Sequence, residues 1–456
     1  MKKLIQFILL PLFLAGLFIT VAFLMPAHDS PYPSGWYQQF MPNLNNQPLN
    51  DVTFVDSLNG WAVTNINTPT DSGYVLKTTN GGDNWTIKFK NRTAFKKVVF
   101  LNINTGFTFG NMGGTGNCVF YKSTNGGENW FLLNVPSVPM DDMFVLNEDT
   151  IWFTDSGGFD GGIFCTTNGG LNWITQYYYL GNNPKKIYMY NRNIGFACTD
   201  FELFKTTNSG TNWIQISGTA QSNRFFDMYF IDSLTGWKSN DTMQKTTNGG
   251  LNWINQQVPR GPNISYGIYS FSNVNIDTIW GAGGVFEYPN LQDRGILYRT
   301  TNGGDNWYYQ IPDTSFRFYF YGNISFINKL IGWAYGNLNG SGSGGIHTVN
   351  GGDTVWYIGI VQQSKTVPLN FELKQNYPNP FNPRTVIPYS LKSAGYVRII
   401  AYDILGREVQ RLVDQKQSAG EYEVDFMGKF CSSGVYFYSM TVDGKVIDTK
   451  KMLMLK

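Results

Sequence analysis

Thr78-Thr79-Asn80-Gly81-Gly82-Asp83-Asn84-Trp85 decides the reading of this chain, because the phrase keeps returning. It recurs at 123–130, 166–173, 206–213, 246–253 and 300–307, and at 348–356 with one extra residue before the Trp. The closing residues are Trp85, Trp130, Trp173, Trp213, Trp253, Trp307 and Trp356, spaced by 45, 43, 40, 40, 54 and 49 residues. Self-similarity at this period is the mark of a propeller or another repeat array. A second phrase keeps step with it: an apolar or aromatic residue, a short polar turn, then Gly-aromatic or an equivalent. It stands at 54–61, 100–107, 146–152, 190–196, 230–237, 271–280 and 326–333.

Each unit then has a physical reading. Asn-Gly-Gly between two β-rich apolar runs predicts a hairpin, because Asn and Gly tolerate positive φ. The Thr78 hydroxyl and Asn80 amide are placed to bond turn backbone that the ladder leaves free. The second phrase supplies two more strands around a polar turn such as Asp56-Ser57-Leu58-Asn59. Four short antiparallel strands make a blade, and seven interleaved copies predict seven blades around a channel. The seven closing tryptophans are expected to be buried, so that Trp253→Ala costs about 3–5 kcal/mol.

The pattern Ser/Thr-x-Asn-x-Gly-x-x-Trp resembles the Asp-box, or bacterial neuraminidase repeat, of sialidase-type propellers. The interleaved Gly-Trp phrase makes the closer likeness the seven-bladed photosystem II assembly and stability factor family. The resemblance runs over roughly 36–360. Asn stands where the family's Asp would be in all seven copies, which removes a charge from the turn but keeps its hydrogen-bond geometry. The resemblance implies fold and leaves activity open, since the box staples unrelated proteins.

The 456 residues allow two or three domains. Charged residues make up 14%, against about a quarter in typical proteins, while aromatics reach 16% and Gly numbers 50. This is the composition of an all-β chain rich in turns. A net charge of +2 gives no reason to expect nucleic acid. Cys118, Cys165, Cys198 and Cys431 form no metal or disulfide pattern and read as isolated packing thiols. No metal or cofactor is expected.

Lys2 and Lys3 followed by an apolar run to Leu24 read as an export signal over 1–26, with an uncleaved anchor as the alternative. Residues 27–50 form an N-terminal arm, in which Trp36-Tyr37-Gln38 either adds an outer strand that closes the ring or drapes over it. Residues 51–360 are the propeller and 361–370 a linker. Residues 371–456 carry β-rich segments without the repeat and predict a small β-sandwich. This tail closely resembles the C-terminal sorting domain of the type IX secretion system. The resemblance rests on 375–383 (Gln-Asn-Tyr-Pro-Asn-Pro-Phe-Asn-Pro), Tyr402-Asp403-Ile404-Leu405-Gly406, Ser433-Gly434-Val435-Tyr436 and the closing 450–456. It departs from the family at 426–431 (Phe-Met-Gly-Lys-Phe-Cys), where a Trp/Phe-Asp-Gly stretch is usual. The resemblance implies Sec export, then passage to the surface or medium, with the secretion machinery as a partner.

Little here supports catalysis. The Arg-Ile-Pro phrase of sialidases is absent, and Glu in the propeller is limited to Glu128, Glu148, Glu202 and Glu287. Asp155, Asp160, Asp200, Asp241 and Asp293 sit in loops that could share a face, as two-carboxylate glycoside cleavage requires. His28 and His347 are the only histidines, too few for a His-rich metal site. One constellation stands out. Lys97, Lys186, Arg224, Arg260 and Arg317 stand just ahead of the inner strands of several blades, with Phe226, Tyr266 and 316–321 nearby. Ring closure is expected to gather them on one rim, opposite the Asn-Gly-Gly turns, facing an acidic protein segment or anionic glycan. The expected function is a secreted or cell-surface, non-enzymatic propeller that binds a protein or glycan. The alternative is a secreted glycoside hydrolase of Asp-box propeller type.

Overall fold

The computed structural model describes residues 35–455 except 116, 156–159, 181–183, 218–224, 241, 261–263, 288–291, 313–315, 339–341, 353–359, 365–366 and 429–430. The expected signal at 1–26, Arg224 and Trp356 lie outside the described residues. No α-helix occurs among the described residues.

The first blade runs Leu49–Phe54, Gly60–Thr64, Gly73–Thr78 and Thr86–Asn91, in that order across one antiparallel sheet. Five more sheets repeat this order, with inner strands Thr93–Phe100, Met140–Val145, Lys186–Met189, Asp227–Phe230 and Ser270–Asn273. The seventh has Phe318–Phe326 innermost. Inner strands of neighbouring blades pack on one another all the way round, the last against the first. This is the expected all-β, seven-bladed propeller. In the sixth blade the inner strand is broken: Ile264–Ser265 and Ser270–Asn273 both pair with Ile279–Phe286. That excursion sits in the blade that carries the 54-residue step.

Every Asn-Gly-Gly turn is built alike. Thr78 Oγ1 donates to Asn80 Oδ1 at 2.9 Å and accepts from Gly82 N at 2.9 Å, and Asn84 N donates to Asn80 Oδ1 at 3.0 Å. The two glycines take φ of 71° and 95°, the left-handed region that favours Gly. The turn is also tied to the polar turn of its own blade, Gly81 N donating to Leu58 O at 2.8 Å. Both turns therefore lie on one face of the propeller, and blade-to-blade connections lie on the other.

The second phrase joins blades. Trp61 lies flat on Phe100 of the next blade at 3.5 Å, and its Nε1 donates to Gly126 O at 3.0 Å. Gly60 is Gly because the Phe54 ring covers it: a Cβ there would sit 2.4 Å from that ring. These blade-joining tryptophans (Trp61, Trp152, Trp237, Trp280 and Trp333) are the most deeply buried tryptophans among the described residues. The closing tryptophans of the first phrase differ from expectation. Trp85, Trp213 and Trp307 are buried, but Trp130, Trp173 and Trp253 are only partly so. They too reach the preceding blade, Trp130 toward Phe89 at 6.3 Å and Trp173 toward Phe120 at 6.0 Å, but with one side left open to solvent.

The ring is closed by the N-terminal arm. Tyr37–Gln39 pairs with Ser343–Thr348 as the outermost strand of the seventh blade. Of the two readings open for 36–38, the added strand is the one formed. Tyr37 and His347 face each other across this pair and hydrogen-bond, Tyr37 Oη to His347 Nδ1. His347 also stacks on Trp333, with centroids 4.6 Å apart. Burial lowers the pKa of His347 from 6.5 to about 3. The unfolded chain therefore takes up a proton below about 6.5 that the folded ring refuses, so stability is full above that pH and falls from there toward 3. Thermal melts at pH 7.5, 5.5 and 4 are expected to show this loss, and His347→Gln is expected to flatten it. An equal pH slope in both proteins would contradict the assignment.

The tail is a two-sheet sandwich. One sheet has the order Ile360–Ser364, Gly420–Met427, Arg384–Leu391, Glu372–Leu373; the other has Glu408–Gln417, Gly395–Tyr402, Gly434–Val442, Lys445–Met454. Ile387, Val397, Ile399, Val413, Phe426 and Met452 fill the space between them. Here the expected linker at 361–370 is corrected. Ile360 pairs with Val424 and Gln362 with Tyr422, so the sandwich's edge strand begins immediately after the repeat. Val361-Gln362-Gln363-Ser364 is too short and polar to show a strand period. Met427, in the stretch that departs from the family pattern, packs into the same buried cluster as Phe286, Ile296 and Tyr309 of the sixth blade.

Candidate functional site: the channel and its mouth

The inner strands bring one register position of every blade to the channel. It lies three residues before the end of the strand's apolar phrase: Asp51, Lys97, Asp142, Lys186, Asp227, Ser270 and Asn323. Alternation along the strand makes it face inward, because successive side chains point to opposite faces. Five blades thus place three carboxylates and two ammonium groups in one layer. Lys97 Nζ donates to Asp142 Oδ1 at 2.6 Å and to Met143 O at 2.9 Å.

The carboxylates also tie blades together. Asp51 Oδ2 accepts from Val98 N at 2.9 Å, Asp142 Oδ2 from Ile187 N at 3.0 Å, and Asp227 Oδ2 from Phe271 N at 3.2 Å. Each bond runs from one blade to the inner strand of the next. Burial pushes the Asp51 and Asp227 carboxyls above the usual carboxylate range, although Lys97 and Lys186 pull the other way. With three acids against two bases, one carboxyl is in excess of the cations facing it. Burial alone would lower the pKa of Lys186; Asp142, Asp227 and Asp51 together outweigh it and hold the ammonium charged.

Next to this layer, toward the Asn-Gly-Gly face, stand Phe144, Tyr188 and Tyr229. Their rings follow one another at 5.4 and 5.2 Å. A cavity of about 240 Å3 lies among Lys97, Asp142, Phe144, Lys186, Tyr188 and Asp227.

The opposite mouth has two unlike halves. Over the early blades, Lys96 bonds Asp141 at 2.7 Å and Lys185 bonds Asp200 at 2.6 Å. Over the last three blades, Phe226 stacks on Tyr269 at 4.6 Å and Tyr269 meets Phe320 edge-on at 5.8 Å. Each of these rings comes from the start of a different inner strand. Tyr266 and Tyr319 stand exposed beside them. Tyr266 and Arg317 adopt φ of 61° and 55°, uncommon for residues other than Gly, Asn or Asp.

The expected basic rim is therefore redrawn. Lys97 and Lys186 do share a register position and come together, but inside an acid-balanced layer rather than on a cationic rim. Arg317 is exposed at the mouth, near the start of the seventh inner strand. Arg260 is exposed and lies near the buried Tyr298 hydroxyl of the sixth blade's third strand, away from the channel register. The three aspartates form the acidic half of this layer, which the recurrent basic residues alone do not reveal. Counting back three residues from Phe54, Val145 and Phe230 finds all of them. Lys238 was also missed. It is buried, with Nζ 4.0 Å from the Phe225 ring and 5.1 Å from the Trp253 ring, and burial lowers its pKa to about 8. It occupies the repeat position held by Ala62, Ala197 and Ala334, where a Lys is conspicuous.

Comparison with known proteins bears on both parts of the chain. Residues 375–455 match the family described as the secretion system C-terminal sorting domain. The tail is an export address. It directs the chain to the cell surface or the extracellular space through the type IX secretion system. No curated protein matches the sequence. Among solved structures, YCF48 from Cyanidioschyzon merolae is similar at 17% identity and a TM-score of 0.52, over 69% of this chain and 99% of that one. YCF48 bound to D1 peptide is similar at 15% identity and a TM-score of 0.50, over 70% of this chain and 98% of that one. A GH74 xyloglucanase from Xanthomonas campestris is similar at 12% identity and a TM-score of 0.49, over 78% of this chain and 60% of that one. At these identities the likeness is one of fold.

Proposed function

We propose that this exported propeller is a binding protein rather than an enzyme, and that it takes an extracellular protein segment or glycan at the channel mouth opposite the Asn-Gly-Gly turns. One observation carries the reading: the channel's carboxylates are engaged in holding blades together. Asp142 has one oxygen on Lys97 and the other on Ile187 N, while Asp51 and Asp227 each hold the backbone of the next blade. Glycoside cleavage needs one carboxyl to deliver a proton and another to activate water or attack. Carboxyls committed to the frame are poor candidates for either task.

The arc of Phe226, Tyr269 and Phe320 suits recognition better. Aromatic faces stack on sugar rings or apolar side chains and lose little freedom in doing so. A propeller of similar fold is described bound to a peptide, which makes an extended peptide a natural class to test first. Because Lys96 and Lys185 already have acidic partners, the aromatic arc rather than charge is expected to carry affinity. The test is capture of surface extract by purified protein and by a Tyr269→Ala, Phe320→Ala double variant, at low and high salt. Wild type is expected to retain a partner that the variant loses, with little dependence on salt. Equal capture by a folded variant would remove the mouth from the function.

A further inference from the structure

We propose that the channel cavity binds a free α-amino acid, taken as its zwitterion between Lys186 and Asp227. The site lies inside the ring, apart from the aromatic arc at the mouth. Its cavity of about 240 Å3 is walled by Lys97, Asp142, Phe144, Lys186, Tyr188 and Asp227.

The charges on this wall are not all closed on one another. Lys97 and Asp142 are: they meet at 2.6 Å, and the second Asp142 oxygen is taken by Ile187 N. Lys186 and Asp227 hold the same register position in the next two blades, yet they form no ion pair. Among the described residues Lys186 Nζ makes no hydrogen bond; Asp142, Asp227 and Asp51 act on it only at a distance. Asp227 accepts one bond on each oxygen, from Met228 N at 2.9 Å and Phe271 N at 3.2 Å. Each of those oxygens has room for one more donor. Both residues stay partly exposed and both line the cavity, so a solute in the channel can reach them.

This unclosed pair selects the ligand. An anion alone would meet Lys186 but also face Asp142 and Asp227; a cation alone would meet Asp227 but also face Lys186. A molecule with both charges close together satisfies both. Its carboxylate accepts from Lys186 and its ammonium donates to Asp227, each in a charge-assisted hydrogen bond. An α-amino acid has this arrangement and is neutral overall, so it leaves the charge balance of the layer unchanged. Its side chain has a place as well. Phe144 and Tyr188 stand 5.4 Å apart, and the Tyr188 hydroxyl is committed to Phe230 O at 2.7 Å, so this wall offers rings rather than polar groups. Val99, Val145 and Met228 add apolar surface to the same cavity, which suits an apolar side chain.

The test uses the full folded chain with L-leucine, L-methionine and L-phenylalanine, read by calorimetry and saturation-transfer NMR. At least one is expected to bind. For each that does, the controls are the amine lacking its carboxylate and the acid lacking its ammonium; for phenylalanine these are 2-phenylethylamine and 3-phenylpropionate. Both controls are expected to bind at least about tenfold more weakly, the loss of one charge-assisted hydrogen bond. Lys186→Met and Asp227→Asn are each expected to weaken the amino acid by a similar factor. Because the controls are run on the unaltered protein, they decide the matter even where a variant fails to fold. The proposal is overturned if no amino acid binds, which would leave the cavity to water, if either single-charge control binds as tightly as its amino acid, or if both folded variants bind unchanged.

Discussion

A chain ending before Ile360 is expected to accumulate in the periplasm and to be missing from both the surface and the medium. The match at 375–455 makes the tail the address, and the edge strand Ile360–Ser364 belongs to the same sandwich. Cutting at 370 would leave that strand without the sheet it pairs with, so the clean truncation is earlier. The truncated propeller is expected to stay folded, because the blades close on one another and on Tyr37–Gln39 without help from the tail. It loses the packing of Met427 against the sixth blade. Conversely, a reporter carrying an export signal and residues 360–456 is expected to reach the surface. Immunoblots of periplasm, outer membrane and medium decide it. A truncated chain that still arrived outside would show that the address lies elsewhere.

Trp333→Ala is expected to destabilise the propeller by about 3–5 kcal/mol, the usual cost of losing a fully buried Trp from a core. Trp333 is completely buried, stacks on Phe54 of the first blade at 3.6 Å, and donates from Nε1 to Gly81 O at 2.7 Å. It also backs His347, and so the closing strand. Its loss leaves a cavity at the one seam where the two ends of the repeat meet. Trp253→Ala serves as the comparison. That ring is only partly buried, packed edge-on against Phe225 and Phe230, so its removal is expected to cost clearly less. Urea unfolding of both variants is the measurement. Equal costs would mean that the seam contributes no more than any hairpin.

The fold was legible because two phrases recur in step, and each encodes a local geometry: Asn-Gly-Gly for positive φ, and Gly-aromatic for a ring lying over a bare backbone. What they did not encode is which Trp does which work. Trp253 and Trp61 look equally eligible for a core in sequence, yet Trp61 is fully buried between two blades and Trp253 only partly buried. The sandwich boundary was missed at Ile360–Ser364, since an edge strand of five residues without alternation looks like a linker. The site was half legible. Lys97 and Lys186 were visible as recurrent bases, but their meaning depended on Asp51, Asp142 and Asp227 at the same register in intervening blades. A charge read alone suggests a ligand; read with the partner that folding brings to 2.6 Å, it is a brace. The aromatic arc depends on rings from three blades meeting, which no local pattern reveals.

The most direct test of the account is release of new reducing ends from a panel of polysaccharides by the exported protein. The account predicts none above background, even from a glycan the protein retains, and predicts that Asp142→Asn changes stability but nothing catalytic. Sustained release from one polysaccharide, abolished by Asp142→Asn in a protein that still folds, would contradict it.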